Sequence, residues 1–209
     1  VAAGTGSRYG GDTPKQYLHL AGHRVLDWSL ASARAVSDGI VLVVAAPALE
    51  QPEPGADVVV AGGATRSASV RAGLAAVPAD AEIIVIHDAA RPLALPGLFE
   101  DVIAAVRAGA DGAVPGLPVA DTIKRVSAGV VVETPERSTL VAVQTPQAFD
   151  AAALRAAHAD SPEATDDAAV VEARGGRVVV VLGDPANTKL TGRGDLERLE
   201  HLLAAQAEG

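Results

Sequence analysis

The sequence predicts one α/β domain built on a mainly parallel sheet. Two observations carry this. Short aliphatic runs alternate with helical periods along most of the chain, and strand–helix alternation implies crossovers between parallel strands. The apolar content also suits such a sheet. Hydrophobic residues make up 49% of the 209 residues but aromatics only 2%, so Val, Leu, Ile and Ala must fill the core.

The elements follow in order. Val1-Ala2-Ala3 reads as the end of a first strand, and Gln16–Leu20 reads as extended. Leu26, Leu30 and Ala33 share one face of a helix. Ile40–Ala45 is a β-branched strand between Gly39 and Pro47, and Val58–Val60 is another that ends at Gly62-Gly63. Val70, Leu74 and Val77 line the next helix. Ile83–Ile86 is a strand stopping at His87-Asp88, and Phe99, Val102, Ile103 and Val106 form a further helical face. Thr122–Val126 and Val130–Glu133, joined by Ser127-Ala128-Gly129, break the rhythm and read as a β-hairpin. Thr165 stands as an N-cap for a helix through Arg174, closed by Gly175-Gly176. Val178–Leu182 is the last strand, and Leu196, Leu199, Leu202 and Leu203 line the last helix. The expected organisation is a single domain over residues 1–209, with the hairpin as an arm at about 118–140.

Composition removes several classes of function. Twenty-six acids against seventeen bases give a formal net charge of −9, the wrong sign for a nucleic-acid-binding module. There is no Cys, which excludes disulfides, thiolate zinc, iron–sulfur clusters and Cys nucleophiles. The longest apolar run, Ile40–Ala46, is a strand length and not a membrane span. No basic stretch leads into an apolar segment as in a signal peptide, so a cytoplasmic protein without nucleic-acid or membrane partners is expected.

Gly4-Thr5-Gly6-Ser7-Arg8-Tyr9-Gly10-Gly11-Asp12-Thr13-Pro14-Lys15 is the most informative stretch. Glycine at this density lets backbone N–H groups approach phosphate closely, and Arg8 and Lys15 add charge. Tyr9 stands where a dinucleotide fingerprint needs Gly, and Asp12-Thr13 stands where a P-loop needs Lys and Ser/Thr. Spacing alone leaves a phosphate loop and a solvated surface loop both open. For His87-Asp88, at the carboxyl end of a strand, it likewise leaves a ligand-facing acid and a helix cap open.

The loop, taken with Pro14-Lys15-Gln16-Tyr17, resembles the nucleotidyltransferase signature of the 2-C-methyl-D-erythritol 4-phosphate cytidylyltransferases. Further blocks match in the same order: Gly62–Val70, His87–Pro92, Asp121–Lys124, Gln144–Gln147 and Asn187–Thr191. The resemblance implies a Rossmann-like nucleotidyltransferase sheet with helices on both faces and a hairpin arm that clasps a second subunit. It implies transfer of CMP from CTP to a polyol phosphate, with Mg²⁺ or another divalent cation. Arg8, Lys15 and Lys189 would then be catalytic. Ala2, Ala3, Gly4, Gly6, Gly62, Gly63 and Ser69 would hold CTP. Asp88, Arg91, Thr122, Arg137, Thr145 and Lys189 would hold the acceptor, with Thr122 and Arg137 reaching the partner's site in a homodimer. Asp88 would face the metal, which leans mostly on the CTP phosphates, and Asp184 is a second candidate. Ala64 stands where many relatives carry Asp, so it is left out of the site.

Two other readings stay open. Ribitol-5-phosphate cytidylyltransferases share much of the motif set, although Ala2-Ala3-Gly4 and Ala89-Ala90 favour methylerythritol phosphate. A nucleotide-binding dimer without catalysis is the alternative from a different class.

Overall fold

The computed structural model describes residues 1–4, 13–192 and 194–207. In chain order its elements begin with β1 (His19–Leu20), β2 (His23–Arg24), α1 (Val25–Arg34), β3 (Val41–Val44), β4 (Val58–Ala61) and α2 (Arg66–Ala76). They continue through β5 (Ile83–Ile86), α3 (Pro96–Arg107), β6 (Gly112–Pro118), β7 (Arg125–Ser127), β8 (Val130–Glu133) and β9 (Val141–Val143). The last are β10 (Gln147–Asp150), α4 (Ala151–His158), α5 (Asp167–Glu172), β11 (Val178–Leu182) and α6 (Gly194–Ala207).

The main sheet runs β11-β6-β10-β5, with β9 also on β6, while β3 and β4 form a parallel pair. Residues 1 and 2 join the two parts. Ala2 bridges Val44 in parallel, the Val1 nitrogen donates to the His87 carbonyl at 2.6 Å, and the Ala89 N–H donates to the Val1 carbonyl at 3.1 Å. The β6–β11 pair is parallel, and β10 is antiparallel to both β5 and β6. Strand β9 is antiparallel to β6 as well, so β5, β6 and β11 run one way and β9 and β10 run against them, while β3, β4 and residue 2 pair in parallel.

Side-chain alternation along β5 divides the core. Ile84 and Ile86 face Val70 and Leu74 of α2, Leu154 of α4, and Val170 and Val171 of α5. Ile83 and Val85 face Val102 and Val106 of α3 on the other side. Leu26 and Leu30 of α1 cover Leu42 and Val44, and Leu199 of α6 packs on Leu20 and Leu190. Helices thus cover both faces, as the resemblance implies. Among the described residues, no helix is long and apolar enough to cross a membrane.

Several local expectations are corrected. Lys15–Tyr17 forms a 3₁₀ turn, not an extended segment. The first arm strand begins at Arg125, not Thr122, with Ala128 (φ 47°) and Gly129 (φ 80°) at its turn. Helix α5 is capped by Asp166, whose carboxylate accepts from the Ala169 N–H at 3.1 Å, and it ends at Glu172. Thr165 lies one residue too early, and a carboxylate suits the positive helix start. Helix α4 has no counterpart among the sequence expectations; Asp150 caps it at 2.8 Å from the Ala153 N–H.

Candidate active site

The carboxyl ends of the parallel strands gather the polar residues, as expected for an open α/β sheet. Asp88 follows β5 with its side chain only 14% exposed. Lys189 Nζ lies 2.5 Å from Asp88 Oδ2, and Arg66 Nε lies 3.7 Å from Asp88 Oδ1. Burial alone would raise the Asp88 carboxyl. Lys189 and Arg66 outweigh it and hold the carboxyl below the usual carboxylate range. The expected alternative, a cap for the following helix, is not what Asp88 does, since α3 begins eight residues later at Pro96.

Lys189 owes its place to a well-anchored turn. The buried Asn187 amide donates to the Thr145 carbonyl at 2.9 Å, and the Leu190 N–H donates to the Ala90 carbonyl at 2.8 Å. Arg91 Nη1 donates to the Asn187 carbonyl at 2.7 Å, and Lys15 Nζ donates to the Leu190 carbonyl at 2.9 Å. Lys15, Arg91, Asp88 and Lys189 are thereby brought to one place from separate segments. Gln16 fixes the start of the glycine loop by donating to the Ala2 and Gly4 carbonyls at 2.7 and 3.3 Å.

The Gly62-Gly63 loop lies directly against that start. A Cβ on Gly62 would sit 2.4 Å from the Ala3 Cβ and 2.8 Å from Ser69 Oγ. Ser69 is buried; its hydroxyl donates to the Thr65 carbonyl at 2.9 Å and accepts from the Gly63 N–H at 3.2 Å. It shapes the loop that, by its backbone and Ser69 itself, is expected to hold the base.

Thr145 is also buried, and its hydroxyl is used internally. It accepts from the Asp88 N–H at 3.1 Å and lies 3.2 Å from His87 Nδ1. His87 Nε2 lies 3.2 Å from the Arg91 carbonyl, which can only accept. The proton therefore belongs on Nε2, and the Thr145 hydroxyl donates to Nδ1. In this arrangement Thr145 also positions Asp88.

Arg66, inside the Gly62–Val70 block but given no role there, and Asp167 complete the cluster. Arg66 opens α2, and its Nη2 lies 2.8 Å from Asp167 Oδ2, an acid only 1% exposed. Burial opposes the Arg66 charge, but Asp167 and Asp88 more than offset it and raise its pKa. Asp167 Oδ1 also lies 3.2 Å from His158 Nε2. Linear order gives no hint of a 66–167 pair; the only available signal was a charged residue at the start of each of two helices.

Thr122 and Arg137 are not brought to this cluster within one chain. Both are exposed, and Arg137 Nη1 donates to the Ala120 carbonyl at the arm's own base. Gly6 and Arg8 lie outside the described residues.

A magnesium ion takes oxygen ligands. Both Asp88 oxygens face cations, and the Asp184 carboxylate is spent on the Ala186 N–H at 2.7 Å in its own turn. Among the described residues, no three His, Asp or Glu side chains gather as a metal site. The described residues offer no cage of protein side chains for a metal ion. A cavity of about 680 Å³ runs between β3 and β5, among side chains such as Val1, Leu30, Val43, Leu74 and Ile84.

Comparison with known proteins places this geometry. The sequence model of the 2-C-methyl-D-erythritol 4-phosphate cytidylyltransferase family matches residues 1–205. The chain belongs to that family. A cytidylyltransferase of this name from Nocardia farcinica is 45% identical over 214 residues, covering 99% of this chain and 93% of that one. The bifunctional enzyme IspD/IspF of Clavibacter michiganensis is 47% identical over 221 residues, and the chain spans 54% of its length. The crystal structure of the cytidylyltransferase from Thermus thermophilus superposes with a TM-score of 0.81 at 37% identity, covering 94% of this chain and 96% of that one. Family membership accounts for the order of the sequence blocks and for the mixed sheet in which β9 and β10 run against the other strands.

Proposed function

We propose that this chain transfers CMP from CTP to 2-C-methyl-D-erythritol 4-phosphate, giving 4-diphosphocytidyl-2-C-methyl-D-erythritol and pyrophosphate. The observation that carries this is the convergence of Lys15, Lys189, Arg66 and Arg91 around Asp88, beside two apposed glycine loops, in a chain matched by the family over residues 1–205.

An acceptor phosphate oxygen attacks the α-phosphorus of CTP in line. The bond to the bridging oxygen breaks and its electron pair leaves on pyrophosphate. The nucleophile is already anionic, so no protein base is required. What remains is holding two polyanions together and meeting the developing charge with fixed cations. Arg8, Lys15 and Lys189 serve the phosphates, with Lys189 turning from Asp88. Ala2, Ala3, Gly4, Gly6, Gly62 and Gly63 hold the nucleotide, and Ser69 keeps their loop in shape. Asp88 and Arg91 place the acceptor. Any divalent cation the reaction uses arrives on the nucleotide's phosphates.

The active form in this proposal is a homodimer, in a cytoplasmic setting. Val126, Val130, Val131 and Val132 on the arm are 54%, 64%, 54% and 56% exposed, an apolar surface that the described residues of its own chain leave uncovered. A partner clasped there would receive Thr122 and Arg137 at its acceptor site.

The test is pyrophosphate release with CTP and either methylerythritol phosphate or ribitol 5-phosphate. Turnover with the first at least about 100-fold above the second is expected, given what one hydrogen-bonding site can discriminate. Preference for ribitol phosphate overturns the acceptor assignment. CTP binding without release from either acceptor would make the chain a non-catalytic nucleotide-binding protein.

A further inference from the structure

We propose that Asp167 is a positioning residue: its buried carboxylate anchors Arg66, and Arg66 is the fixed counter-ion that keeps Asp88 in place when Lys189 leaves it for a phosphate. The inference rests on the function proposed above and deepens it.

The two cations on Asp88 differ in kind. Lys189 has a side chain 37% exposed on a turn, a flexible stem and a point charge at 2.5 Å. Arg66 stands between two carboxylates and is closer to Asp167. Its Nε faces Asp88 at 3.7 Å, while Nη2 lies 2.8 Å from Asp167 Oδ2. Asp167 in turn is enclosed between α4 and α2, with His158 at 3.2 Å on its other oxygen. Its neighbour Asp166 already caps α5, so capping does not account for Asp167.

A purely stabilising role is a poor account of this pair. Buried ion pairs contribute little net stability against apolar replacements, because desolvation offsets the attraction. What such a pair does supply is a guanidinium with a fixed direction. If Lys189 moves to a phosphate, Asp88 loses its nearer cation in a largely buried place. With Arg66 held by Asp167, the carboxylate keeps a partner and an orientation through the step. Without it, Asp88 is free to follow Lys189 or to turn toward the incoming phosphates and repel them.

The experiment is a cycle of Arg66→Gln, Asp167→Asn and the double variant, assayed below the thermal midpoint of all three. The double variant removes both charges and leaves no buried ion unpaired, so it guards against a failure to fold. Asp167→Asn is expected to lower kcat about tenfold, as misplacement of a catalytic group does, with KM for CTP within about twofold. Arg66→Gln should do the same, and the double variant should fall no further, because both act through one contact. An independent readout is the Arg66 Nε–H resonance of the ligand-free protein, which should be slow to exchange in the wild-type chain and lost in Asp167→Asn. A persistent resonance, an unchanged kcat, or losses that multiply in the double variant would each overturn the inference. Failure of the wild-type chain to turn over would instead count against the proposed function, and the Arg66 resonance would still report whether the anchor exists.

Discussion

His87 is a titratable ring made inert beside a charged site. Burial holds its pKa down to about 3, and both ring nitrogens have partners suited to the neutral form. The unfolded chain protonates this ring near 6.5, so between about 3 and 6.5 the unfolded state binds more protons. The stability His87 contributes is whole above pH 6.5 and is lost as pH falls toward 3, by up to about 1.4 kcal/mol per pH unit. Gln offers the same donor and acceptor without a charge change. His87→Gln should flatten the fall in thermal midpoint between pH 4.5 and 6.5, above the range where carboxylates titrate. An unaltered slope would mean that the ring is not the group being titrated. Asp88→Asn is the companion test of charge. It keeps the shape and the N–H bond to Thr145 and removes what Lys189 and Arg66 pair with. Since Asp88 caps no helix, the variant should fold, and loss of a charged placing group should lower kcat on the order of 10²-fold. Full activity would return Asp88 to a structural role. At this scale Lys15, Asp88 and Lys189 were legible because each sits in a recognisable block. The pairing of Arg66 with Asp167 was not, although Arg66 lies in the Gly62–Val70 block, since its meaning is a distance of 2.8 Å between segments far apart in the chain.

Elements were readable where one physical rule governed them. The aliphatic runs of β3, β4, β5 and β11 and the apolar stripes of α1, α2, α3 and α6 emerged close to their observed limits. Strand β6 did not, because Gly112-Ala113-Val114-Pro115-Gly116-Leu117-Pro118 carries the residues that usually end strands. The sheet needs them. A Cβ on Gly112 would stand 2.7 Å from the Phe149 ring, so only glycine admits that ring to the core. Pro115 falls opposite the break between β9 and β10, where its carbonyl accepts from the Gln144 N–H at 2.8 Å and no N–H of its own is called for. The same crowding argument gives a test at the other end of the sheet. Gly62→Ala would force the β4 loop off Ala3 and Ser69, costing about 1–3 kcal/mol as an overpacked substitution does. It should also weaken CTP binding, because the two loops proposed to hold the nucleotide meet there. Gly97→Ala in α3 is the control: nothing lies within 4 Å of its added Cβ, and alanine favours the helix, so its thermal midpoint should hold or rise. Equal behaviour of the two variants in chemical denaturation and CTP calorimetry would refute the contact between the loops.

At the scale of the whole molecule, the proposed function draws on more than one chain. Asp88, Lys15, Arg91 and Lys189 converge, while Thr122 and Arg137 stay on an exposed arm with its valines uncovered. The sequence pattern disclosed the arm as a hairpin among crossovers, but a partner surface has no period to read. If two copies exchange arms, each site takes Lys15 from one chain and Arg137 from the other, and two-fold symmetry repeats the exchange. Arg137 suits that task, because a guanidinium meets phosphate through two parallel N–H bonds. An Arg137→Ala chain and a Lys15→Ala chain should each be nearly inactive alone. In a heterodimer both defects fall in one site and leave the other whole. Random pairing of equal amounts makes about half of the dimers heterodimers, so roughly a quarter of wild-type activity should return. The measurement is pyrophosphate release after subunit exchange, with heterodimer formation followed by differently tagged chains. If heterodimers form and activity stays at the level of the parents, Arg137 serves its own chain or no site. Recovery near a quarter requires that it cross the interface.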